Sequence, residues 1–114
     1  MSTTIYHNPH CTKSRQTLNL LLEKGEKPEI IEYLNQVPSK TELKQLLTML
    51  GMKPEALIRK GEDEFKQLFK GKKLTDDQWI QAMVDYPKLI ERPIVVKNGK
   101  AVIGRPPENV LALL

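Results

Sequence analysis

A single cysteine, Cys11, stands in the run His7-Asn8-Pro9-His10-Cys11-Thr12-Lys13-Ser14-Arg15. Sulfur attacks as the thiolate, and the first-turn N–H groups and macrodipole of a helix favour that form. Lys13 and Arg15 add positive charge within one turn, and His7 and His10 lie just upstream. A shift of the thiol pKa from ~8.5 to ~6.5 would raise the thiolate fraction at pH 7 from about 3% to about 76%. Ser14 closes a C-x-x-S pattern. A hydroxyl there can donate a hydrogen bond to the thiolate but cannot form a disulfide. His7, at the end of an expected strand, is a candidate for tuning Cys11, with a plain hydrogen-bonded histidine as the alternative. A buried structural cysteine is the competing reading of Cys11. The polar neighbours His10, Thr12 and Lys13 speak against it.

One cysteine excludes an internal disulfide framework and every Cys-rich zinc site. Any redox chemistry at Cys11 must therefore borrow a second thiol from another molecule. His7, His10 and Cys11 are three potential metal ligands within five residues, but the chain has no other His or Cys. A tetrahedral site would need a carboxylate as its fourth ligand and would lack the usual spacing. No metal is expected.

The chain has four arginines among 18 basic residues. Where a charge is needed for solubility it uses lysine. Arg59 falls at an expected helix end, Arg92 before Pro93, and Arg105 before Pro106-Pro107. Three guanidinium forks converging near a helix N-terminus would bind a tetrahedral oxyanion through paired hydrogen bonds. Taken singly, each arginine reads rather as a cap or a salt-bridge partner. On the residues alone, the Arg92–Pro93 bond reads as trans.

The elements that must position these groups follow from pattern. Thr3–His7 alternates around Ile5 and predicts a first strand. Asn8-Pro9-His10 is a turn, and Leu18, Leu21 and Leu22 at helical spacing before Gly25 predict a helix over roughly residues 12–24, with Cys11 at its entrance. Glu29–Leu34 predicts a second strand. Residues ~37–90 read as a helical insertion without a clear strand. Ser39-Lys40-Thr41-Glu42 and Thr75-Asp76-Asp77-Gln78 are capping boxes that open two of its helices. Pro54 opens a short helix through Ile58, and Phe65, Leu68 and Phe69 suggest a further turn or two. Ile94–Lys97, Asn98-Gly99 and Lys100–Ile103 read as a hairpin with a type I′ turn. Pro106-Pro107 opens a last helix through Val110, Leu111, Leu113 and Leu114. The order β-α-β, helical insertion, β-β-α is an α/β chain of one domain spanning residues 1–114.

Composition narrows the partners. The net charge of +4 is mild and its lysines are mixed with acids, so a small anion suits it as well as a polymer does. Aromatic residues are 5% of the chain, too few to suggest stacking platforms for single strands. No apolar run approaches a bilayer span. The start Met1-Ser2-Thr3-Thr4 carries no positive region followed by an apolar stretch. Neither a nucleic acid nor a membrane is expected as a partner, and the expected location is cytoplasmic.

The Cys11 run resembles the H-N-P-x-C-x-x-S-R signature of the glutaredoxin-linked arsenate reductases, the ArsC family. Further resemblance lies in Ala56-Leu57-Ile58-Arg59-Lys60, Thr75-Asp76-Asp77-Gln78, Arg92-Pro93-Ile94-Val95-Val96 and Gly104-Arg105-Pro106, in order and over nearly the whole chain. It implies a thioredoxin-like fold with a helical insertion between its halves, and a cis Pro93 facing the cysteine loop. It implies Cys11 as nucleophile, with Arg59, Arg92 and Arg105 as oxyanion binders. His7 and Ser14 match the positions that help activate the thiolate. Arg15 matches the signature without a role following from it. The implied activity is arsenate reduction, with no bound cofactor, glutathione as co-substrate and glutaredoxin as partner.

Two other readings stand beside it. A glutathione-dependent thiol oxidoreductase acting on something other than arsenate would share the fold, which does not settle substrate. The Spx regulators of RNA polymerase also look like this family. Many of them carry C-x-x-C as a redox switch, where this chain has Ser14.

Overall fold

The computed structural model describes residues 2–114. The chain forms two compact units, one from the residues up to Gln36 together with Arg92–Leu114, the other from Val37–Glu91.

The first unit is built on a four-stranded mixed sheet. Its strands are β1 (Thr3–His7), β2 (Glu29–Glu32), β3 (Ile94–Lys97) and β4 (Lys100–Ile103), in the order β2-β1-β3-β4. β1 runs parallel to β2, pairing Ile5 with Ile30, and antiparallel to β3, pairing Ile5 with Val95. The parallel pair needs a crossover, and helix α1 (Thr12–Glu23) supplies it. β2 stops at Glu32, two residues short of the expected end, because the Glu32 carbonyl accepts the Asn35 and Gln36 N–H groups and turns the chain. β3 and β4 form the expected hairpin, with Asn98 at φ 55° and Gly99 at φ 75°. Both turn residues must be left-handed, a conformation Asn and Gly tolerate best.

Strand period and helix period decide what is buried. In β1 every second residue points inward: Thr3, Ile5 and His7 are buried while Thr4 and Tyr6 are half-buried. In α1 the buried face is Ser14, Thr17 and Leu21. That differs from the expected leucine stripe, since Leu22 is exposed and Leu18 half-buried. The polar residues near the start of α1 can go inside because their hydroxyls are hydrogen-bonded there. Ile5, Leu21, Val95 and Val110 form the fully buried centre.

The closing segment Pro107–Leu113 is a 3₁₀ helix rather than an α-helix. Residues three apart eclipse in that geometry. Pro107, Val110 and Leu113 are so spaced; Pro107 and Val110 are buried and Leu113 packs on the core. The Arg92–Pro93 bond is cis, as the resemblance implies and against the reading of the residues alone. The Arg105–Pro106 bond is cis as well.

The second unit is helical. It holds α2 (Lys40–Leu50), α3 (Asp63–Leu68), α4 (Asp76–Asp85) and 3₁₀ turns at Pro54–Leu57 and Pro87–Leu89. Both expected capping boxes form, with Ser39 accepting from Glu42 N and Thr75 from Gln78 N. Its core draws on Leu43, Leu46, Leu57, Trp79 and Met83, and Phe65 stacks on Trp79 at 6.2 Å between ring centres. A single antiparallel bridge joins Ile58 to Ile90. Among the described residues, no helix is long and apolar enough to cross a membrane.

The caps make α2 and α4 sensitive to one hydroxyl each. Ser39→Ala is expected to lower unfolding stability by about 1 kcal/mol, read as a lower urea midpoint at unchanged slope.

Candidate active site

Cys11 is the N-cap of α1, in extended backbone at φ −98° and ψ 123°. The loop before it is fixed by its own polar atoms. Asn8 Oδ1 accepts the His10 N–H at 2.9 Å, and the Asn8 carbonyl accepts the Cys11 N–H at 3.0 Å. Arg15, one turn into the helix, donates Nη1–H to the Pro9 carbonyl at 2.9 Å. The signature residue without an expected role therefore braces the loop that carries the sulfur.

Two of the three expected arginines meet Cys11. Arg105 Nη2 lies 3.5 Å from Cys11 Sγ, and Arg105 Nε donates to the Arg92 carbonyl at 2.7 Å. Arg92 also hydrogen-bonds the sulfur through its side chain. The bend that presents Arg105 is held by Asn109, whose amide donates to the carbonyls of Ile103 at 3.1 Å and Arg105 at 3.0 Å. Arg59 belongs to the other unit. There its guanidinium pairs with Glu91 Oε1 at 2.8 Å and Glu62 Oε1 at 3.3 Å. The salt-bridge reading left open for each arginine describes Arg59 as it stands.

Ser14 does not act as its hydroxyl led us to expect. Ser14 Oγ accepts the Asn8 N–H at 3.0 Å and sits 2.6 Å from His7 Nδ1. Which of the two donates in that contact depends on the tautomer of the imidazole. Burial holds His7 below its ordinary pKa, Glu32 opposes that and Arg15 adds to it, so the neutral ring is favoured. It is the backbone N–H of Ser14, at the open end of α1, that bonds the sulfur. His7 and Ser14 thus meet each other, each on the buried face of its own element. His10 is exposed, and among the described residues no cluster of three His, Cys, Asp or Glu is placed to hold a metal.

The electrostatics at Cys11 follow from these contacts. Burial is the largest single influence and pushes the thiol up. The Ser14 N–H, then Arg92 and Arg105, push it down further, and the thiol ends below its ordinary value. Unit charges about 4 Å apart attract by about 4 kcal/mol at an effective dielectric constant near 20. Together with the Ser14 N–H, two such cations oppose the loss of water around the sulfur, and the net direction is down. Cys11 keeps 8% of its surface exposed, and its sulfur is in contact with the Arg105 guanidinium. A cysteine sulfur beside two guanidinium forks has the chemistry to attack a small oxyanion.

The ArsC family model matches residues 6–113. The chain belongs to the ArsC family. A protein of Escherichia coli strain K12 described as uncharacterised, YfgD, is 54% identical over 112 residues, which cover 96% of this chain and 94% of that one. A Neisseria meningitidis relative named arsenate reductase is 43% identical, covering 96% of each chain. A solved structure named arsenate reductase from Vibrio cholerae superposes with a TM-score of 0.96 at 52% identity, covering 100% of this chain and 98% of that one. The fold of this ArsC chain is accordingly thioredoxin-like.

Sequence reasoning overlooked Thr17 and Asn109, which hold the framework of this site. Thr17 stands between Gln16 and Leu18 and Asn109 between Glu108 and Val110, so residue type and local pattern gave no signal for either. If the guanidinium of Arg105 lowers the thiol pKa, Arg105→Ala should raise it. The pH midpoint of Cys11 alkylation is expected to move up by about one unit, with circular dichroism unchanged.

Proposed function

We propose that this protein is an arsenate reductase of the glutathione- and glutaredoxin-linked kind. The observation that carries the reading is the sulfur of Cys11 within 3.5 Å of a guanidinium whose own Nε is tied to the neighbouring Arg92. Arg92 and Arg105 hold the arsenate oxygens and disperse their charge. Arg59 enters this reading through the family resemblance; its side chain stands paired with Glu62 and Glu91.

The Cys11 thiolate attacks arsenic, and one oxygen leaves as water after taking up two protons. Attack by the glutathione thiolate then oxidises the two sulfurs to a mixed disulfide. Their two electrons pass to arsenic, which departs as arsenite. Glutaredoxin, with its own thiol, reduces the mixed disulfide and restores Cys11. The chain's single cysteine is why the resolving thiols come from outside. His7 and Ser14 contribute by fixing the turn whose N–H faces the sulfur.

Purified protein with arsenate, glutathione and glutaredoxin is expected to produce arsenite, and Cys11→Ser to fall to background. Arg92→Lys keeps the charge but loses the fork. It should slow turnover about tenfold, the cost of one charge-assisted hydrogen bond of ~1.5 kcal/mol. No arsenite above the Cys11→Ser background contradicts the proposal. Turnover of a glutathione mixed disulfide in its place would favour a thiol oxidoreductase of different substrate.

A further inference from the structure

The two arginines at the sulfur come from segments far apart in sequence, and one seam of the first unit touches both segments and the cysteine's helix. We propose that the contact of Gly104 with Thr17 and Pro93 is a positioning lock that sets where Arg92 and Arg105 stand relative to Cys11.

A Cβ on Gly104 would lie 2.6 Å from Thr17 Oγ1 and 2.9 Å from both Thr17 Cγ2 and Pro93 Cγ. Real Cβ atoms do not approach that closely, so glycine is demanded here by space. All three residues are buried, Thr17 completely. Gly104 N–H donates to the Pro93 carbonyl at 2.9 Å. Thr17 Oγ1 donates to the Lys13 carbonyl at 2.8 Å and lies 3.3 Å from the Gly104 carbonyl.

Each partner in the seam is one covalent step or one rigid element from the chemistry. Thr17 is on α1, whose N-cap is Cys11. Pro93 follows Arg92 directly, and Gly104 directly precedes Arg105. Filling the space beside Gly104 must push the Arg105 segment away from α1, push Pro93, or both. The Arg105 Nε to Arg92 carbonyl bond makes the two arginines move as a pair. A retreat of about 1 Å by a guanidinium now 3.5 Å from the sulfur corresponds to roughly half to one unit of thiol pKa at an effective dielectric constant of ~20. The lock rests on the reading of this cluster as the active site, and its test needs no substrate.

The test is the rate of Cys11 alkylation by iodoacetamide against pH in the full chain, with thermal unfolding followed in parallel. Because Cys11 is the one thiol, the signal has a single source. Gly104→Ala should raise the alkylation midpoint by about half a unit or more. Adding Thr17→Ala removes two of the three close contacts and should return the midpoint part of the way. A seam that only stabilises the fold would lower the melting temperature and leave the midpoint of the folded protein at its wild-type value; that result overturns the proposal. If Gly104→Ala alone does not fold, the double variant decides, because its Pro93 contact persists and a wild-type midpoint again refutes the lock. Thr17→Ala alone, which only removes atoms, decides if neither folds: a loosened seam raises the midpoint by about a quarter unit or more, and an unmoved one refutes it. A failure to reduce arsenate would sink the functional reading and leave this result standing.

Discussion

The structure turns on holding a negative sulfur where water is scarce. Burial alone pushes the Cys11 thiol up and disfavours the thiolate; the opposing groups are the Ser14 N–H, Arg92 and Arg105. Each must arrive with little freedom, since an amide or guanidinium that wanders by an ångström loses much of its hold. Much of the first unit can be understood as meeting that demand. The strand-to-helix turn aims the N–H, the hairpin returns the chain with Arg92 and Arg105 on its two flanks, and Gly104 lets the bend settle against α1.

Side-chain hydroxyls and amides do the fixing. Ser14 links Asn8 to His7, Thr17 lies against Gly104, and Asn109 gathers the Ile103 and Arg105 carbonyls. None of them donates to the sulfur through its side chain in these bonds. A polar group that is fully satisfied inside a core gives up little stability and defines one geometry. Such bonds hold together a site whose groups come from separate segments.

Much of this was legible in the residues because the signals were local. Alternation around Ile5, the capping boxes at Ser39 and Thr75, and the Asn98-Gly99 turn each fix an element within a few residues. The placement of Cys11 at a helix entrance followed from the same kind of signal. What could not be read was non-local. The sequence offers leucines for the inner face of α1, but Ser14 and Thr17 take it, because their partners lie on β1 and after β4. Ser14 was expected to serve the sulfur with its hydroxyl and serves it with its backbone, a difference that rotamer and neighbour decide. Arg59 carries the same side chain as Arg105, yet its neighbours are carboxylates. Nothing in residue type distinguishes the two.

The most direct test of the central claim is the ultraviolet absorbance of the Cys11 thiolate followed across pH in the unmodified protein, with Cys11→Ser as the blank. The account predicts a midpoint below the ~8.5 of a free cysteine, because the cations and the helix N–H outweigh burial. A midpoint at or above that value would mean that burial wins, and the sulfur would not be the ionised nucleophile on which this reading depends.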